Sequence, residues 1–105
     1  MKFDIEYWIE ELNKNVPIRY FKRNVPQYRF VTYINHSILL FKGSHYDSCF
    51  MFIKRSYEFL EENRKDLISS EYLKSANDYL KELYNYLVQK NLVNEELISK
   101  YAIKN

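Results

Sequence analysis

The apolar residues at the start of the chain, Ile5, Trp8, Ile9 and Leu12, recur at intervals of three and four, while Glu6, Glu10 and Lys14 fall between them. Residues so spaced share one helical face, so the pattern predicts an amphipathic helix from about Asp4 to Lys14. Asp4 can cap its first amides, and Pro17 ends it by disfavouring helical geometry in the residue before.

From Val16 to Gly43 the chain is rich in β-branched and aromatic residues, which suit a pleated surface. Three short strands are expected there, around Val16–Phe21, Tyr28–Ile34 and Ile38–Phe41. A turn over Asn24–Gln27 would join the first two, and a tight Asn35-His36 turn the last two, although it lacks the usual glycine. In that hairpin Ile34 pairs with Ser37, Thr32 with Leu39 and Phe30 with Phe41 on one face. Tyr33 pairs with Ile38, Val31 with Leu40 and Arg29 with Lys42 on the other.

Helical spacing returns after Gly43. Ser44 and Asp47 resemble an N-terminal cap, and Tyr46, Phe50, Ile53, Tyr57 and Leu60 form a stripe, with Cys49, Phe52 and Phe59 as a second flank. This helix gives way near Asp66. Ser69 or Ser70 with Glu71 opens a longer one, whose stripe runs through Tyr72, Ala76, Tyr79, Leu80, Leu83 and Leu87. Asn94 caps a last short helix carrying Leu97, Ile98 and Tyr101. The expected fold is a two-layer α+β domain of order α-β-β-β-α-α-α, a single unit over residues 1–105.

Eleven tyrosines and seven phenylalanines stand against one glycine and two prolines, which implies a rigid, aromatic interior. Abundant Lys, Asn, Ile, Tyr and Phe, all drawn from A+T-rich codons, point to a low-GC bacterium or its phage or mobile elements. One cysteine forms no internal disulfide, no secretory pattern opens the chain, and the longest apolar runs fall far short of the roughly 20 residues of a membrane span. A cytoplasmic protein with no membrane association is expected.

Charge is unevenly spread. Residues 14–55 carry eight basic side chains and one acidic, net +7, while residues 1–13 carry −3 and residues 56–105 carry −2. Cations interleaved with aromatics suit a nucleic-acid surface, and equally an acidic protein surface or a sheet with a solvated outer side. The candidate binding residues are Arg19, Lys22, Arg23, Tyr28, Arg29, Tyr33 and Lys42. A hairpin apolar on both faces would also leave one of them for cover by helices, for a partner or for a homodimer.

Catalytic constellations are sparse. His45 and Cys49 are four apart at a helix start, but Cys49 lies beside Phe50 and Phe52, where a buried, inert thiol is expected. His36 is read as a turn residue. One cysteine and two histidines offer no familiar zinc spacing, and a lone Gly43 excludes the glycine-rich phosphate loops, so neither metal nor cofactor is expected. The order of elements over residues 3–64 resembles that of a double-stranded-RNA-binding domain. Ser44-His45-Tyr46-Asp47-Ser48 stands where such domains carry lysines, so the resemblance is one of topology alone. The expected function is non-catalytic binding of nucleic acid or of a protein that handles it; the alternative is an inhibitor, immunity or antitoxin-like protein that blocks an enzyme by surface contact.

Overall fold

The computed structural model describes residues 2–16, 25–67 and 70–103. Helices α1 (Ile5–Lys14), α2 (Val25–Lys42), α3 (Tyr46–Glu62), α4 (Ser70–Gln89) and α5 (Glu95–Lys100) follow one another, with a 3-10 turn at Arg64–Asp66. Among the described residues there is no strand, so the α+β expectation is overturned. The first expected strand lies outside them from Pro17 onward, and the other two are successive parts of α2.

The reason is visible in what α2 buries. Gln27, Phe30, Val31, Ile34, Ser37 and Ile38 are buried, a spacing of three and four that only a helix brings to one side. No glycine or proline interrupts the chain from Gln27 to Lys42, and Asn35-His36 lacks the glycine that a two-residue turn favours. β-branched residues cost a helix at most about 0.7 kcal/mol each, whereas burying a Phe, Val or Ile side chain gains roughly 1.5–3 kcal/mol. Burial therefore overrides propensity. Thr32 settles into the helix by donating its hydroxyl to the Tyr28 carbonyl at 2.9 Å.

The hairpin pairings disappear with the strands. Arg29 and Lys42, expected side by side, are about 20 Å apart along one helix and some 140° apart around it. The topological likeness to a double-stranded-RNA-binding domain fails for the same reason.

Ser44 takes a different part from the one expected. α2 ends in a Schellman turn, with His45 N–H donating to the Leu40 carbonyl at 2.9 Å and Ser44 N–H to that of Phe41 at 3.0 Å. Ser44 occupies the left-handed position of that turn, at φ 62°, and His45 precedes α3 without a side-chain cap. At the other ends Asp4 accepts from Tyr7 N–H at 3.1 Å, and Asn94 accepts from Leu97 N–H at 2.9 Å. α4 closes in a second such turn, with Asn91 in the left-handed position at φ 56°.

α2 lies along α3, α3 against α4, and α1 against α4. The tyrosines and phenylalanines interlock between them. Phe3 meets Phe41 and Tyr86, Trp8 meets Tyr79, Phe30 meets Tyr72, and Phe50 stacks on Tyr84 with ring centres 5.0 Å apart. A polar node sits within this apolar mass. The Tyr79 hydroxyl is 2.8 Å from Ser37 Oγ, Ser37 Oγ donates to the Ile34 carbonyl at 2.6 Å, and Cys49 Sγ–H donates to the Ser37 carbonyl at 3.5 Å.

Two predictions follow from α2. Asn35→Ala should leave the protein as stable or improve it by about 0.5 kcal/mol, while Asn35→Pro should cost about 3 kcal/mol or more, both read from urea midpoints. A hairpin turn would tolerate proline better than that. At the polar node, Tyr79→Phe should cost about 1 kcal/mol, since Ser37 keeps its Ile34 acceptor. Ser37→Ala strands a buried phenol and should cost more, about 1–3 kcal/mol.

Candidate functional site

The outward surface of the α2–α3 pair gathers the groups most suited to binding. In α2 the stripe Arg29, Tyr33, His36 and in α3 the stripe Phe52, Arg55, Phe59 advance by three and four residues, so each runs along one helix side. They meet in the shallow groove between the antiparallel helices. The His36 ring centre is 4.4 Å from that of Phe52, and Tyr33 rests edge-on against Phe52 at 6.2 Å and Phe59 at 5.4 Å. The Arg55 guanidinium lies over the Phe52 ring, 5.0 Å from its centre, a cation–π contact worth about 0.5–1 kcal/mol at an exposed site.

The contacts run in antiparallel order along the groove: His36 meets Phe52, and Tyr33, farther from the turn at residues 43–45, meets both Phe52 and Phe59. With Arg55 over Phe52, this makes a ladder of rings with one cation against it.

α2 carries no Asp or Glu along its 18 residues. On the outer side of α3 the exposed Glu58 and Glu62 stand three and seven residues beyond Arg55, on its own side of the helix. Apolar surface borders the ladder too, with Leu39 67% exposed and Met51 38% exposed.

The residues expected from sequence are divided by this arrangement. Arg29 and Tyr28 are exposed on α2, and Tyr33 is half-buried in the groove. Lys42 turns away from them toward α1, where its ammonium lies 3.4 Å from the Glu6 carboxylate. Arg19, Lys22 and Arg23 lie outside the described residues. His36 is no turn residue but a member of the ladder. Phe52, Arg55 and Phe59 were not singled out as binding residues, although their spacing of three and four within a predicted helix was the available signal.

No family model, curated protein or solved structure matches the chain. Its site must be read from its own geometry.

Other parts of the surface carry less. A cleft of about 340 Å³ between α1 and α4 is lined by Trp8, Glu11, Lys14, Glu71, Lys74 and Asp78 among others, a mixture in which the charges offset one another. Asn15 Nδ2 donates across it to Ser75 Oγ at 3.4 Å. Among the described residues no three His, Cys, Asp or Glu side chains are grouped to hold a metal, and no helix is long and apolar enough to cross a membrane.

His45 and Cys49 do not form a base–nucleophile pair. Cys49 is fully buried, and burial pushes its thiol from 9.0 up to about 12; the residue's link to His45 is the backbone bond from Cys49 N–H to the His45 carbonyl at 2.9 Å. The thiolate that nucleophilic chemistry needs is therefore disfavoured.

Burial also raises the Tyr72 and Tyr79 phenols above their ordinary value of 10.0. All three groups are neutral acids that the folded chain holds more tightly than the unfolded one. Below about pH 8 both states are protonated and their contribution is complete; above it the unfolded chain releases protons first, so stability falls as pH rises. Urea midpoints are expected to be level from neutrality to about pH 8 and to decline beyond it, with a later onset in Cys49→Ala.

Proposed function

We propose that the chain is a small non-catalytic binding protein whose partner is a polyanion, nucleic acid in the first place, engaged by the N-terminal half of α2 together with the outer side of α3. The observation that carries this reading is the carboxylate-free α2, with Arg29 exposed, packed along an α3 whose exposed Arg55 lies over Phe52. The sequence adds Arg19, Lys22 and Arg23 directly before that helix, with no acidic residue from Asn15 to Tyr46. Phosphates are drawn to such clusters through release of their counterions. Aromatic faces among cations then suit bases.

A second reading keeps the surface and changes the partner. Exposed Leu39 and Met51 beside arginine and aromatic rings resemble the composition of protein interfaces, in which Met, Arg and aromatics are enriched. That favours an inhibitor or antitoxin-like protein acting by contact. Affinity capture from a low-GC bacterial lysate, with and without nuclease, separates the readings, because a stoichiometric protein complex that survives nuclease belongs to the second.

If Arg19, Lys22, Arg23, Arg29 and Arg55 all meet phosphates, log affinity for an oligonucleotide should fall against log salt with a slope of about −3.5 to −4.5. Arg29→Ala should reduce the slope by roughly 0.7–0.9, and Lys42→Ala, whose ammonium faces Glu6, should leave it alone. A response flat in salt defeats the nucleic-acid reading.

A further inference from the structure

We infer that the α2–α3 groove takes single-stranded nucleic acid, with the His36 imidazole and the Arg55 guanidinium, both braced on Phe52, as stacking platforms for unpaired bases. This rests on the polyanion reading and goes one step further, by naming the strand state of the ligand and the side chains that would select it.

Two planar groups lie against one ring, His36 with its centre 4.4 Å away and its plane tilted by 48°, and Arg55 with its guanidinium 5.0 Å from the ring centre. Each is exposed on its other side, and both imidazole and guanidinium stack on bases. Holding them in advance lowers the ordering cost of binding. His36 is exposed on α2 and Arg55 exposed on α3, while Phe52 and Phe59 are half-buried and serve as footing.

Duplex DNA or RNA would not use this feature, since its bases are already stacked and presented edge-on. The groove is also a shallow seam between helices and offers no protruding helix end or ribbon to enter a major groove. Charge complementarity favours a nucleic acid over an acidic protein segment. Arg29 on α2 and Arg55 on α3 are both exposed, and packed helices hold their axes about 8–10 Å apart, so a strand lying across the pair would pass two cations. An apolar partner surface would instead centre on Leu39 and Met51, which adjoin the ladder at its end toward the turn.

The test compares a single-stranded oligothymidylate of about 15 nucleotides with a mixed-sequence duplex of the same length, by fluorescence anisotropy at one fixed pH. The single strand should bind at least about tenfold more tightly. His36→Ala, at an exposed position, should weaken single-strand binding by roughly 5- to 150-fold and leave the salt slope unchanged, as loss of one stacked base would. Arg55→Ala should lower both affinity and slope. Phe52→Leu, which keeps apolar packing and removes the ring, should act like the two together, with circular dichroism and melting confirming an intact fold. Equal binding of both oligonucleotides, unaffected by His36→Ala and Phe52→Leu, would overturn the stacking inference and leave the polyanion reading standing. Failure of both oligonucleotides to bind removes both readings. A nuclease-resistant complex with an acidic protein that Arg55→Ala abolishes would assign the groove to a protein and overturn the inference.

Discussion

The phenol of Tyr79 lies in the middle of an apolar core, and the way its hydroxyl is satisfied sets the orientation of α2. Its partner, Ser37 Oγ at 2.8 Å, itself donates to the Ile34 carbonyl, while the Ser37 carbonyl receives the Cys49 thiol. Three helices thus meet in one chain of hydrogen bonds. A buried hydroxyl deprived of a partner costs about 1–3 kcal/mol, a large share of the 5–15 kcal/mol by which domains are stable. Turning α2 by a single residue would swing Ser37 through about 100° and break that chain. The hydrophobic stripe alone is less exacting, because Val31, Ile38 and Leu40 could exchange places at modest cost. The polar node therefore fixes which side of α2 faces outward, and so brings Arg29 and His36 to the surface beside Phe52 and Arg55.

Much of the helical part was legible in the residues. Asp4 and Asn94 announced their caps, and the α4 stripe from Tyr72 to Leu87 is fully buried at every residue named. These signals are local, and each depends on a few neighbours in sequence. The segment from Tyr28 to Phe41 was misread because two periods are superimposed in it. Phe30, Thr32, Ile34 and Val31, Tyr33 can be read as alternation, yet Phe30, Ile34, Ser37, Phe41 follow the helical interval over a longer span. Sixteen residues without glycine or proline should have decided for the helix, since a hairpin needs a turn and Asn35-His36 supplies weak turn chemistry. Ser44 misled for a related reason. A serine before a helix is an ordinary cap, but here the preceding helix was unrecognised, so the end that Ser44 serves was invisible.

The site was less legible than the fold, and the cause is register. Sequence identified Arg29 and Tyr33 as surface candidates, but a strand and a helix give them different neighbours. In a hairpin Tyr33 would have faced Ile38; on α2 it rests on Phe52 and Phe59, nineteen and twenty-six positions away. No local pattern contains that relation, because it depends on how far α3 slides along α2, which the turn at residues 43–45 and the buried stripes decide together. His36 shows the same dependence. Alone it is an exposed helical histidine, and only the facing Phe52 gives it a packing partner.

Charge counting likewise needed the structure. The net +7 of residues 14–55 suggested one strong positive field, yet Lys14 lies 3.7 Å from Glu11 and Lys42 lies 3.4 Å from Glu6. Exposed pairs of this kind contribute little to stability, about 0–1 kcal/mol, so they do not hold α1 in place. Their effect is on the field. Two opposite charges a few ångströms apart look neutral to a ligand beyond the Debye length of about 8 Å at physiological ionic strength. Lys54 is turned elsewhere, donating to the Ala102 carbonyl at 3.1 Å. The positive character of the described part of the segment is therefore narrower than its formal charge: outside these contacts it rests on Arg29 and Arg55, both exposed, and Glu58 and Glu62 stand on the same side of α3 as Arg55.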